Sequence, residues 1–109
     1  MGRKLEILSC ESLLNTIATA HAELMLQQDQ LSHQGFNERA QEISSSFQAS
    51  AVGENIASGT ENAQEILKSW LNSESHRKNI EGNFNKTGIG IATKESQAYY
   101  CQIFVLDNI

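Results

Sequence analysis

The 109 residues carry 13 acidic against 8 basic side chains, a net charge of −5, and 39% of them are hydrophobic. That is enough for one modest core and one domain over residues 1–109, with no basic stripe of the kind that follows nucleic acid. No apolar run is long enough for a transmembrane segment, and the opening Met1-Gly2-Arg3-Lys4-Leu5-Glu6 lacks the apolar core of a signal peptide.

Cys10 precedes the first predicted element and Cys101 lies near the end of the chain. Neither belongs to a Cys-x-x-Cys pair, which argues against a zinc knuckle or a redox motif. Two buried free thiols are the expected state, with a disulfide joining the chain ends as the alternative. Leu13, Leu14, Ile17, Ala18, His21, Leu24 and Met25 fall at helical spacing and predict a helix from Ser12 to about Gln28, with Ser12 as its N-cap. His21 lies on the apolar stripe and reads as a satisfied core histidine rather than a ligand. Leu31 to Phe36 form a polar turn that holds His33 beside Gly35. A second helix is expected from Asn37 to about Phe47, capped by Asn37, with Ala40, Ile43 and Phe47 as its apolar edge. The run Ser44-Ser45-Ser46 weakens its end.

Val52-Gly53-Glu54-Asn55-Ile56-Ala57 reads as a polar turn pinned to the core by Ile56 and Ala57. A third helix begins at Ser58 or Thr60 and buries Ala63, Ile66, Leu67, Trp70 and Leu71. Ser75 then caps a short helical turn through Ile80, closed by Gly82. Two strands follow, Thr87 to Thr93 and Gln97 to Val105, joined through Lys94-Glu95-Ser96. Helices first and a terminal hairpin later argue for an α+β domain.

Four side chains are candidates for chemistry: His33, Glu54, Ser73 and His76. A loop imidazole suits a ligand or a proton carrier, and a carboxylate in a pinned segment can orient an imidazole, accept a proton or bind metal. Ser73, three residues before His76, lacks a Gly-x-Ser-x-Gly elbow and reads better as a cap than as a nucleophile. No His-Glu-x-x-His block supports a zinc protease. Asn85-Lys86-Thr87 fits an N-glycosylation acceptor, a triplet that also arises by chance.

Taken in order, His21-Ala22-Glu23-Leu24-Met25, the loop His33, Gly53-Glu54-Asn55-Ile56-Ala57, the block Trp70-x-x-Ser73-x-x-His76-Arg77-x-Asn79-Ile80, Gly88-Ile89-Gly90 and Tyr99-Tyr100-Cys101-Gln102-Ile103-Phe104 form a specific set. The set resembles the CAP superfamily (cysteine-rich secretory proteins, antigen 5 and pathogenesis-related class 1 proteins), in particular its bacterial-type SCP domain, over residues of about 10 to 105. The resemblance implies a three-layer α-β-α sandwich with a central antiparallel sheet, here lacking the family's first helix. It implies a cleft in which His33, Glu54 and His76 meet, with Ser73 where other members carry a second acidic residue. It further implies an extracellular or extracytoplasmic location and a partner that is a protein, lipid or small molecule. The cofactor would be Zn2+ or another divalent cation held by His33 and His76, with Glu54 nearby. The expected function is therefore non-enzymatic binding in that cleft. The alternative is a metal-assisted, protease-like hydrolase using Glu54 as general base, and a third possibility is that the cleft groups only rigidify the fold.

Overall fold

The computed structural model describes residues 9–59, 84–95 and 97–108. The expected third helix, the turn through Ile80, and with them Ser73 and His76, lie outside the described residues. The described elements are β1 (Ser9–Cys10), α1 (Ser12–Gln28), α2 (Phe36–Ser44), β2 (Ala49–Gly59), β3 (Lys86–Lys94) and β4 (Gln97–Asp107). The sheet order is β1-β3-β4-β2, with β1 parallel to β3 and the other two pairings antiparallel.

Helix α1 has the predicted span. Leu14, Ile17, Ala18, His21, Ala22 and Met25 point inward, the repeat of three and four residues that makes one buried stripe. Its N-cap is Glu11, not Ser12, and no side chain caps it; Ser12 is already helical. At the other end Asp29 adopts the left-handed conformation (φ 51°). Its N–H reaches Leu26 O, and the N–H of Gln30 reaches Met25 O, closing the last turn as a Schellman motif. The Asp29 carboxylate then accepts from the Tyr99 hydroxyl and the Gln97 amide at 2.8 Å each, which ties the helix end to β4.

Helix α1 lies directly on β3. A Cβ at Gly88 would stand 2.4 Å from Leu14, and one at Gly90 would stand 2.1 Å from the Thr19 nitrogen. The Gly-Ile-Gly run therefore serves as the seat of the helix, where only hydrogen side chains allow this approach. The Asn15 side chain accepts the Ile89 N–H at 2.9 Å and fixes the helix along that strand. Ile89, pointing the opposite way, is 45% exposed.

The second helix starts at Phe36, one residue before the expected Asn37, and Gly35 is its N-cap with φ 81°. The left-handed glycine turns the chain sharply out of the His33 loop, so no side-chain cap at Asn37 is needed. The helix stops at Ser44, inside the serine run, and Phe47 follows in a further turn with its N–H on Ile43 O. Ile43 is fully buried in the same core cluster as α1, Ile56, Tyr99, Cys101, Ile103 and Val105.

The larger correction concerns residues 49–59. The Gly-Glu-Asn segment is not a turn, and no helix begins at Ser58: both belong to the eleven-residue strand β2, paired with β4 continuously from Ala51 to Gly59 after a register shift at Ala49–Ala51. The segment is short of β-branched and aromatic residues, so its strand character comes from the partner strand rather than from local preference. The predicted hairpin is present, with Lys94 paired to Gln97 and Glu95 left-handed at φ 59°. Both faces of β4 are buried: Ile103 and Val105 toward α1, Tyr100 and Phe104 on the other side. Both cysteines are free, but Cys10 is exposed rather than buried; only Cys101 sits in the core. Asn85 exchanges two hydrogen bonds with the Asp107 backbone, at 2.8 and 2.9 Å, so the amide a glycan would need is already engaged in extending the sheet.

Candidate functional site

Glu54 occupies the middle of β2, paired with Ile103, on the side of the sheet that α1 and Ile43 cover. Its side chain is only 2% exposed. A carboxylate that deep in a fold needs charged or hydrogen-bonding partners. Arg39, on the second turn of α2, supplies a two-pronged clasp: Nε donates to Oε1 at 2.7 Å and Nη2 to Oε2 at 2.8 Å. His33, in the loop between the helices, approaches the same carboxylate with Nδ1 at 2.7 Å from Oε2.

The donor directions follow from the chemistry. A guanidinium can only donate, and a carboxylate clasped by one accepts, so His33 presents Nδ1–H to Glu54. In the neutral form of the ring, Nε2 is then the nitrogen left without a hydrogen. The His33 side chain is 54% exposed, so this ring is reachable from solvent. A carboxylate behind one imidazole nitrogen orients the ring and raises the donor strength of the other nitrogen.

The same reasoning settles His21. Arg39 Nη1 lies 3.1 Å from its Nδ1 and must donate to it, while its Nε2 lies 2.7 Å from Ser32 O and must therefore carry the hydrogen. His21 is thus a neutral, buried, satisfied histidine on α1, as its place on the apolar stripe predicted. Burial pushes its pKa below the usual histidine value, the Ser32 carbonyl opposes that, and the Arg39 charge adds to it.

The structure thus brings together His33 and Glu54, the first two of the predicted cleft residues. Arg39, which binds them, carried no motif. Its one sequence signal is position: it lies four residues before the buried Ile43, a cation on the inward edge of a helix. Among the described residues no three His, Cys, Asp or Glu side chains gather into a metal-holding group. A cavity of about 250 Å³ opens between α1 and α2, walled by Ile17, Ala20, His21, Leu24 and Arg39 but by neither His33 nor Glu54. Cys101 lies beside the network, and burial, reinforced by the Glu54 charge, pushes its thiol well above the ordinary range. It is a packing residue, not a nucleophile.

The family model of the cysteine-rich secretory protein family, CAP, matches residues 2–107. The uncharacterized protein YkwD of Bacillus subtilis (strain 168) is 48% identical over 54 residues, which are 50% of this chain and 21% of that protein. The chain thus spans about a fifth of the curated relative it matches. An outer surface protein of Borrelia burgdorferi superposes with a TM-score of 0.82 at 22% identity, over 95% of this chain and 80% of that one, a likeness of fold. An extracellular protein containing an SCP domain from Bacillus anthracis gives a TM-score of 0.76 at 28% identity, over 94% of this chain and 35% of that one. Both superpositions cover 94% or more of this chain, so its α+β fold is shared with these two structures.

Proposed function

Because the chain belongs to the cysteine-rich secretory protein (CAP) family and has its bacterial-type SCP fold, we propose that it is an extracytoplasmic binding domain. Its cleft takes a divalent cation, or a small polar ligand in its place, at the free nitrogen of His33. The observation that supports this reading is the chain Arg39–Glu54–His33, which commits Nδ1 to Glu54 and leaves Nε2 as the other nitrogen of a ring whose side chain is 54% exposed. That is the outer-shell arrangement in which metal-binding histidines are commonly held. The donors fit zinc, whose borderline softness suits neutral imidazole, and such an ion would act as a Lewis acid toward whatever ligand completes it. His33 and, from the sequence order, His76 would hold it, with Glu54 as orienting group rather than ligand.

The hydrolase reading, with Glu54 as general base, fares less well. Both carboxylate oxygens are already hydrogen-bonded, Oε1 to Arg39 and Oε2 to Arg39 and His33, and the side chain is 2% exposed. A base must reach the proton it takes.

Calorimetric titration with zinc tests the proposal on the wild type, His33→Ala and His76→Ala. Each substitution is expected to weaken binding by at least about tenfold, and binding is expected to fade as pH drops through the histidine range, since protonated imidazole does not ligate. Unchanged zinc affinity in both variants would overturn the metal reading.

A further inference from the structure

We infer that Arg39 is the positioning residue of this cleft: it holds Glu54 so that the carboxylate fixes His33 in its Nδ1–H tautomer, and only Nε2 can meet a ligand. The consequence for binding rests on the function proposed above; the tautomer itself does not.

A guanidinium has five N–H donors. Each has an acceptor here: Nε on Glu54 Oε1 at 2.7 Å, and Nη2 on Glu54 Oε2 at 2.8 Å and on His33 O at 3.3 Å. Nη1 completes the set on Gln34 O at 2.6 Å and His21 Nδ1 at 3.1 Å. Those acceptors come from α1, β2 and the loop that carries His33. Arg39 therefore has no donor left for an anionic ligand, although it lines a cavity. Its bonds instead set the relative position of three segments that are far apart in sequence.

Each acceptor is immobile for its own reason. Glu54 sits within the continuous stretch of ladder, Ala51 to Gly59, that pairs β2 with β4. His21 is buried on α1 and accepts only as the neutral ring, with its other nitrogen on Ser32 O. The loop carbonyls are aimed by Gly35, whose φ of 81° turns the chain around the guanidinium; a Cβ there would stand 3.2 Å from Arg39 Nη1. Lysine cannot replace this arrangement, because a single ammonium has three donors on one atom and cannot span both Glu54 oxygens and His21. Without the clasp, Glu54 can rotate away from Nδ1, and the His33 ring reverts to the mixture of neutral tautomers it has in water.

Long-range proton–nitrogen correlation spectra of the uniformly 15N-labelled chain, at about pH 8 where histidine is neutral, test this. Wild-type His33 is expected as a single Nδ1–H tautomer. In Arg39→Lys and Arg39→Gln the Nε2–H form is expected to appear, with the core amide shifts of β3 and β4 retained. Zinc affinity in both variants is expected to fall by about 10–100-fold, the usual effect of losing an outer-shell partner. A wild-type measurement keeps the test sharp if either variant fails to fold. Five committed donors stop guanidinium rotation, so separate Nη N–H resonances are expected for Arg39. Averaged Arg39 resonances in the wild type, or an unchanged His33 tautomer in a folded Arg39 variant, would overturn the inference. Absent zinc binding with the tautomer shift intact would instead overturn the metal reading alone.

Discussion

Removing Arg39 alone and removing it together with Glu54 should have very different costs. The Arg39 side chain is 11% exposed and that of Glu54 2%. In Arg39→Met the hydrocarbon stem survives while Glu54 loses both guanidinium bonds, leaving a buried carboxylate undercompensated. Breaking a buried ion pair from one side costs about 3–5 kcal/mol, a large fraction of the ~5–15 kcal/mol that holds a small domain together. Glu54→Leu leaves the guanidinium undercompensated and should cost a similar ~3–5 kcal/mol. In the double variant neither charge is buried. What remains is His21 Nδ1 without its donor, about 1–3 kcal/mol, together with the exposed Gln34 and His33 carbonyls and the half-exposed His33 ring, which water can satisfy. The double variant should then be more stable than either single one, with the two changes non-additive by at least about 3 kcal/mol. Urea unfolding at fixed pH, with m-values checked for constancy, measures all four corners of the cycle. Additivity within about 0.5 kcal/mol, or a cost below about 1 kcal/mol for Arg39→Met, would refute the buried-clasp account.

Gly90→Ala places a methyl group 2.1 Å from the Thr19 backbone nitrogen, where no rotamer relieves it, so α1 must lift from β3. A loss of at least about 3 kcal/mol in urea unfolding is expected, at or beyond the upper end for overpacking; a variant within about 0.5 kcal/mol of wild type would contradict so close an approach. Burial lowers the His21 pKa below its usual 6.5. The unfolded chain therefore binds its proton first, and His21 contributes stability that is fully present above about pH 6.5 and lost as pH falls toward the folded-state value. The slope of stability against pH in that window should shrink in His21→Gln. Thiol labelling of the native protein should modify Cys10 and spare Cys101, which is buried and held protonated. Equal labelling rates for the two would show that β4 opens readily.

Much of the fold is legible in the chain because its signals are local. The α1 stripe repeats every three or four residues, and the hairpin is read from β-rich runs either side of Glu95. The order of short blocks identified the family before any contact was known, and the family model spans residues 2–107. β2 was not legible. Ala49, Ser50, Ala51, Gly53 and Ser58 have little strand preference of their own, and the strand exists because β4 offers a ladder for it. His33 and Glu54, which the structure joins at 2.7 Å, were singled out by type and order. Arg39 was not, because an arginine on a helix is ordinarily a solvated surface charge.

Sequence alone determined which elements have a strong internal period and which imidazole and carboxylate to examine, since periodicity and motif order are properties of neighbours along the chain. Only the tertiary structure decided that Glu54 stands in a strand, that its oxygens are taken by Arg39 and His33, and which nitrogen of His33 remains open. Those facts depend on groups 15 and 21 residues distant, brought within 2.7 Å by the docking of two helices on one sheet. A hydrogen bond is decided by tenths of an ångström, a scale no spacing along the chain encodes.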